Sequence, residues 1–440
     1  MKYLRQPVVM KYSRLLLIAV TALLTASLAP RAEAGTDPTL FRRGIGISDV
    51  MGWAPLLLGA PHNYDLGALA ARAETLRDSE LLSLRRTGFD FVRFAVDPGP
   101  FLQAQGGPRD DLDRVLKNCV TRILSADLSV IVDFHPGDQN EDYGIGALTA
   151  GSETPKFRAY LTLLARTARL LENIHSRRVA LEIINEPALS VAAWQPMLDA
   201  AYTTTRLAAP DLRIVLDGGL GGQPQGMMGL QTSHFENDPA TVFTFHYYDP
   251  YQFTHQGAPW NAARYLADVP YPATARPIED SIHASAELID ATNLSSAQKL
   301  AAKLNAEIQL QSYRRSEFDR ENVFSQFDEI GRWAQDHNIP AQRMLLGEFG
   351  ARKTAQQDGG ERAAERANWL RDVRTAAERQ RFSWSVWAYR GGGFGLFGDE
   401  AVTLPELGVI DALGLTAAAN GVLMPTSRPE SWVQSRGAPP

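Results

Sequence analysis

Cysteine is almost absent from this 440-residue chain, which contains only Cys119. A framework of disulfides needs pairs of cysteines, so that way of stabilising the protein is excluded and a large buried core must replace it. Cys119 lies at helical spacing from Leu112, Leu116 and Ile123, on the apolar face of a predicted helix. This pattern predicts a buried structural thiol rather than a nucleophile.

Positive charge is also in short supply, since 44 Lys and Arg stand against 50 Asp and Glu and give a net charge of −6. Proteins that bind nucleic acid carry a basic patch, and the sequence has none of that kind. Nucleic acid is therefore not expected as a partner.

Long apolar runs are missing except near the start of the chain. Basic residues come first, at Lys2, Arg5, Lys11 and Arg14. An apolar run over residues 15–28 and the small residues around Ala34 follow. This order predicts a signal peptide over residues 1–34, cleaved after about Ala34, with Met10 as an alternative start and an uncleaved anchor as the alternative fate.

Cleavage would leave 39 Lys and Arg against 49 Asp and Glu, a net charge of −10. The mature protein is expected to be periplasmic or secreted, without stable membrane association, and monomeric.

From Phe41 onward, short apolar runs alternate with amphipathic helices. Strands are predicted around residues 43–48, 89–96, 128–135, 180–184, 213–216, 242–247, 344–346 and 382–388. Repeated strand–helix units of this number predict a closed (β/α)8 barrel, an α/β fold, with a doubly wound open sheet as the competitor.

Residues 35–440 are expected to form one catalytic domain. The stretch 257–316, between strands six and seven, is too long for an ordinary loop and is predicted to be an insertion on the barrel rim, with one helix from Ser296 to about Gln311. The tail beyond Thr416 is predicted to fray.

Polar and aromatic residues gather at the C-terminal tips of the predicted strands, where a barrel of this type places its active site. They are Arg93, His135, Asn185, Glu186, His246, Tyr247, Tyr248, Glu348 and Trp387. Two glutamates on separate strands suit glycoside hydrolysis, in which one carboxyl donates a proton while the other attacks or activates water. The alternative is that both glutamates are structural and pair with arginines on the rim.

Asp133 and His135, with Asp138 and Asp142 nearby, raise the question of a metal site. No third ligand is fixed on a regular element, so neither a metal nor another cofactor is expected. Trp53 follows the first strand and fits a sugar-stacking role or a core position equally well.

The chain resembles glycoside hydrolase family 5, the cellulase family of a larger clan of barrels with two catalytic glutamates. The carrying motifs are Ile184-Asn185-Glu186-Pro187 and Gly347-Glu348-Phe349-Gly350. Supporting motifs surround Arg93, His135 and His246. The resemblance spans about residues 41–400.

The resemblance implies a role for each matching residue. Glu186 matches the general acid/base and Glu348 the nucleophile. Asn185 matches the residue that bonds the sugar 2-hydroxyl, and Arg93 the arginine that holds the nucleophile. The remaining matches are His135 in the glycone subsite, the pair His246 and Tyr248 beside the carboxylates, and Trp387 under the reacting sugar. Tyr247 would replace Tyr248 if the register slipped by one, and Trp384 is the alternative to Trp387.

The implied activity is that of a retaining endo-β-glycanase acting on a polysaccharide or oligosaccharide, with β-1,4-glucan as the expected substrate. Mannan, β-1,3-glucan and a bacterial exopolysaccharide remain alternatives for the same chemistry. A non-catalytic barrel that binds carbohydrate is the rival of another class, and the presence of both glutamates argues against it.

Overall fold

Eight parallel strands form a closed barrel in the computed structural model, which describes residues 41–353, 361–397 and 407–415. The strands are β1 (Arg43–Met51), β2 (Phe91–Val96), β3 (Ser129–Phe134), β4 (Val179–Glu182), β5 (Arg213–Asp217), β6 (Thr241–Tyr247), β7 (Met344–Phe349) and β8 (Ser383–Val386). Each strand pairs with its successor, and β8 pairs with β1. The predicted (β/α)8 barrel is confirmed, and the open sheet is ruled out.

Helices cover the outside of the barrel. The longer ones are α1 (Leu66–Ala73), α2 (Asp78–Thr87), α3 (Gly107–Ser125), α4 (Pro155–Glu172), α5 (Val191–Ala208), α6 (Ile278–Asp290), α7 (Ser296–Ser316), α8 (Arg320–Asp336) and α9 (Glu361–Arg379). Short helical segments lie at Gly99–Gln103, Ile145–Leu148, Pro224–Met228, Tyr251–Thr254 and Leu407–Ala412, and a two-stranded hairpin joins Leu56–Leu57 to Ala60–Tyr64. No helix within the described ranges is both long and apolar enough to cross a bilayer. The predicted signal segment and the tail beyond Thr416 lie outside the described residues.

The insertion between β6 and β7 contains two helices, although the sequence predicted only one. The predicted helix is α7, which Ser295 caps by accepting a hydrogen bond from the Gln298 amide, and it continues to Ser316. The helix α6 was missed because prolines precede it, yet Pro277 stands at its N-cap, where its missing N–H costs nothing.

The barrel interior is layered along the strands. A small apolar cluster, separate from the large helix–sheet core, is made by Phe41, Phe91, Ile131, Ala180, Val215, Val242 and Leu345. Side chains two residues apart on a strand point to the same face, so the next interior layer comes from positions two residues further along. That layer holds Arg93, Asp133, Glu182, Asp217, Thr244 and Gly347. An apolar floor therefore lies beneath a layer of ionisable side chains.

Strand β4 is shorter than predicted and ends at Glu182, before the Asn-Glu-Pro turn. Backbone bonding to the neighbouring strands nevertheless continues, from the Ile183 amide to the Val215 carbonyl at 3.1 Å and from the Asn185 amide to the Phe134 carbonyl at 2.8 Å. At Glu186 the backbone takes a φ of +47°, which ends the extended conformation. The carboxylate of Glu186 thus leaves the strand on a turn that the neighbouring strands hold.

Arg343, just before β7, anchors the bottom of the barrel. Its guanidinium donates to the carbonyls of Thr241 at 2.7 Å, Phe235 at 2.8 Å and Glu236 at 2.5 Å. We expect Arg343→Met to lower the free energy of unfolding by about 2–4 kcal/mol, because these carbonyls lose a charged donor away from water. Urea unfolding measures the change.

The matched control for this variant is Arg114→Met, which removes an exposed arginine from a surface pair with Asp111. Such pairs contribute about 0–1 kcal/mol. Equal destabilisation of the two variants would show that the contacts of Arg343 do not matter.

Candidate active site

Arg93 lies at the centre of the ionisable layer and is fully buried. Its guanidinium donates two hydrogen bonds to Glu182, at 2.8 and 2.7 Å, and one to Glu348 at 2.5 Å. Asp133 lies 3.1 Å from the same group. Burial by itself would lower the pKa of Arg93, but the three carboxylates outweigh it and raise the pKa well above its usual value. Arg93 is thus a fixed positive charge beneath the strand tips.

Glu348 is held by a donor on each oxygen. Arg93 donates to Oε1, and the Tyr248 hydroxyl donates to Oε2 at 2.8 Å. The side chain is only 6% exposed. Two donors in a buried site fix the orientation of this carboxyl group. This is the environment that an attacking carboxylate needs.

Glu186 faces the same space in different surroundings. Its side chain is 39% exposed, and its Oε1 lies 2.7 Å from His246 Nδ1. A carboxylate oxygen of Glu186, a ring nitrogen of His246 and a carboxylate oxygen of Glu348 all lie within 4.8 Å of one another. The two glutamates therefore oppose each other across a narrow gap, one held firmly and one open to the cleft.

His246 and Glu186 share a proton between them. Burial by itself would raise the pKa of Glu186, but the hydrogen bond and charge of His246 outweigh it and lower that pKa. Burial would lower the pKa of His246, yet the carboxylates of Glu348 and Glu186 raise it to about 9. In the free protein at neutral pH the proton therefore rests on the imidazole, next to Glu186.

Asn185 and His135 continue the network on the far side of Arg93. The Asn185 amide oxygen accepts from Arg93 at 2.8 Å, which turns its Nδ2 towards His135 Nε2 at 3.3 Å. His135 Nδ1 lies 2.9 Å from Asp133. Burial by itself would lower the pKa of His135, but the Asp133 carboxylate outweighs it and raises that pKa above its usual value.

Aromatic rings line the cleft beside this network. His135 stacks on Trp387 with ring centroids 5.5 Å apart and planes 11° apart. The exposed ring of Trp53 lies 4.9 Å from His135, so this tryptophan belongs to the cleft and not to the core. Gly46 makes room for the indole, since a Cβ there would come within 2.6 Å of Trp387.

The structure brings the predicted site residues together around one gap, and it decides between the two pairs of alternatives. Tyr247 points away from the cleft and donates to Gln326, so the slipped register is wrong and Tyr248 contacts Glu348. Trp384 is fully buried and its indole N–H reaches Glu378 on α9, so the alternative to Trp387 is also wrong. Period-two alternation is consistent with both results, because residues an odd number of positions apart along an extended chain face opposite sides.

A comparison with protein families shows the family to which this chain belongs. The family model for cellulase (glycosyl hydrolase family 5) matches residues 74–393. The chain belongs to glycosyl hydrolase family 5. Two curated proteins are similar to parts of the chain at low identity.

Endoglucanase 3 of Fibrobacter succinogenes is 22% identical over 303 residues, which make up 64% of this chain and 39% of that protein. The chain thus spans well under half of that relative. Cellodextrinase A of Ruminococcus flavefaciens is 23% identical over 238 residues, 52% of this chain and 67% of that protein.

Solved structures share the family 5 fold. A family 5 xyloglucanase from Paenibacillus pabuli superposes with a TM-score of 0.62 at 15% identity, covering 86% of this chain and 98% of the other. Cel5A of Thermotoga maritima, solved with cellobiose, gives 0.59 at 19% identity, with 86% and 99% covered. At these identities the likeness establishes the fold alone.

Sequence reasoning missed Glu182 and Asp217 as residues of the site. It also missed that Asp133 is a partner of Arg93. Each is buried in or at the end of a strand. The available signal was an ionisable residue inside an apolar run, as in Ala180-Leu181-Glu182-Ile183. A charged side chain in such a run needs a buried partner of opposite charge. Glu182 and Asp133 both form ion pairs with Arg93.

The shared proton of His246 and Glu186 predicts a pH dependence. The resemblance assigns proton donation to Glu186, and donation requires a proton on the pair, so kcat/KM is expected to persist until the pair is deprotonated near the His246 pKa of about 9. His246→Gln keeps a donor but removes the titrating group. We expect its alkaline limb to move at least about one pH unit lower.

His234→Gln is the control, since His234 is exposed and lies 3.5 Å from Asp199. Its profile should match that of the original protein. An alkaline limb that stays in place in His246→Gln would mean that the pair does not hold the catalytic proton.

Proposed function

We propose that this protein is a retaining endo-β-glycanase that hydrolyses β-1,4-glucan, with Glu348 as nucleophile and Glu186 as acid/base. The observation that carries the proposal is the pair of opposed carboxylates, whose nearest oxygens lie within 4.8 Å. Retaining glycosidases separate their carboxyl groups by about 5–5.5 Å, whereas inverting enzymes need roughly 6.5–9.5 Å to admit water. The narrow gap favours direct attack by a carboxylate.

In the first step, an oxygen of Glu348 forms a bond to the anomeric carbon as the bond to the leaving oxygen breaks. Glu186 gives its proton to that oxygen, so the leaving sugar departs as an alcohol. Before substrate binds, the proton rests on His246, 2.7 Å from Glu186, and the bound sugar must draw it onto the carboxyl. Arg93 and Tyr248 hold Glu348 in line throughout.

In the second step, water replaces the leaving sugar. Glu186 now takes a proton from the water, whose oxygen bonds to the anomeric carbon and releases Glu348 as a carboxylate. The pair is then restored to its original charge. Two inversions at one carbon give net retention of configuration.

Aromatic side chains support the assignment of a glycan as substrate. Trp387 and the exposed Trp53 offer flat apolar surfaces, with ring centroids 6.3 Å apart. The exposed Tyr251 stacks on His255 with ring centroids 3.9 Å apart, and the exposed Trp260 belongs to the rim insertion. Stacking of sugar faces on such rings suits an extended polysaccharide.

The choice of β-1,4-glucan rests on relatives that are named endoglucanase and cellodextrinase. Mannan, β-1,3-glucan and a bacterial exopolysaccharide are outcomes that the assay distinguishes. The N-terminal pattern adds the proposal of export, with residues 35–440 as one mature domain, and N-terminal sequencing of the protein from the cell envelope or medium tests it.

Reducing-sugar release from soluble polysaccharides tests the substrate assignment. We expect the highest kcat/KM on carboxymethyl-cellulose or mixed-linkage β-glucan, with lower values on mannan and laminarin. A preference for mannan or laminarin would move the assignment within the class. Tight binding without turnover of any of them would favour the non-catalytic barrel.

Removal of the nucleophile tests the mechanism. Glu348→Ala should lower kcat by at least roughly 10⁴-fold, because the covalent intermediate can no longer form. Azide should restore turnover of an activated β-glycoside and give the α-glycosyl azide, since the small anion fills the place of the carboxylate. The exposed Glu153→Ala is the control and should retain full activity.

Normal turnover by Glu348→Ala would refute the role assigned to this residue. Rescue that yields a β-glycosyl azide would do the same, because it requires a different nucleophile.

A further inference from the structure

Asp217 lies at the C-terminal end of β5, directly beneath the acid/base turn, and is almost fully buried. Its Oδ2 accepts a hydrogen bond from the backbone amide of Glu186 at 2.8 Å. No role in the reaction described above falls to this residue. Within the described ranges, its side chain makes the one hydrogen bond that reaches the backbone of Glu186 from another strand.

That amide belongs to a residue in an unusual conformation. Glu186 has a φ of +47°, in the left-handed region that residues with a side chain rarely adopt. Such a conformation persists when its surroundings hold it in place. The hydrogen bond that the Glu186 amide donates to Asp217 acts at the residue whose carboxyl must meet the leaving oxygen.

Asp217 is itself held from several sides. The Trp194 indole N–H on α5 donates to the Asp217 backbone carbonyl at 2.9 Å. Gly222 closes the space behind the turn, since a Cβ there would lie 3.1 Å from Glu186 Cγ and 3.3 Å from Asp217 Oδ2. The turn and its support therefore have little freedom to move apart.

The surroundings of Asp217 favour its protonated, uncharged form. His246 on β6, Glu182 on β4 and Glu186 face it, and one atom each of Asp217, Glu182 and His246 lie within 4.8 Å of one another. Burial raises the pKa of Asp217 to about 8, although His246 acts to lower it. Its Oδ1 has no hydrogen-bond partner among the described residues, which is costly for an anion.

We propose that Asp217 is a positioning residue for general acid catalysis, holding the Glu186 turn through this hydrogen bond so that the carboxyl meets the leaving oxygen. The inference rests on the proposed function of Glu186. It assigns to β5 a part in proton donation, not in binding the sugar.

The test uses substrates that differ only in their need for a proton. Departure of a sugar alcohol needs general acid catalysis, whereas departure of 2,4-dinitrophenolate does not. With either leaving group, kcat/KM reports the steps up to formation of the glycosyl-enzyme. Asp217→Ala should lower kcat/KM at least about 30-fold on cellotetraose and by less than about threefold on 2,4-dinitrophenyl β-cellobioside.

Asp217→Asn is the conservative variant. Its side-chain oxygen can still accept from the Glu186 amide, and it matches a protonated carboxyl in charge. It should keep kcat/KM on cellotetraose within about threefold of the original value. Asp211 is exposed and lies just before the N-terminal end of β5. Asp211→Ala is the control and should leave kcat/KM unchanged on both substrates.

Two results would overturn the inference. Equal losses on both substrates in Asp217→Ala would show a role in folding alone. If Asp217→Asn lowers kcat/KM on cellotetraose as much as Asp217→Ala does, the hydrogen bond to the Glu186 amide is not the cause of the loss. If the unaltered protein cleaves neither substrate, the proposed function fails before any variant is compared, so the two failures remain distinct.

Discussion

The buried guanidinium of Arg93 is the interaction on which the site depends. It lies between Asp133, Glu182 and Glu348, and these carboxylates come from strands β3, β4 and β7. Unpaired charges would be expensive in the barrel interior, so each needs the others. One positive charge thus ties three strands together and fixes the orientation of Glu348.

The two glutamates differ because their surroundings differ. Glu348 receives donors on both oxygens from Arg93 and Tyr248. Glu186 stands on a left-handed turn, open to the cleft, and shares its proton with His246. Environments that separate the behaviour of two carboxyl groups allow one to attack while the other moves protons.

The sequence allowed the barrel, the strand tips and both glutamates to be predicted, because apolar strands alternated with helices and polar residues stood at the ends of those strands. It did not reveal the layer below. Glu182 and Asp217 sit inside or at the end of short apolar runs, and only the closed barrel shows that they meet Arg93 and the Glu186 turn. Contacts between strands far apart in sequence follow from register, which strand patterns alone do not specify.

The configuration of the first product tests the central claim most directly. Proton NMR can follow the anomeric signal of the new reducing end during rapid hydrolysis of a β-1,4-gluco-oligosaccharide, before mutarotation mixes the anomers. Attack by Glu348 across a gap of less than 4.8 Å predicts that the β-anomer forms first. Initial appearance of the α-anomer would contradict a covalent intermediate on Glu348.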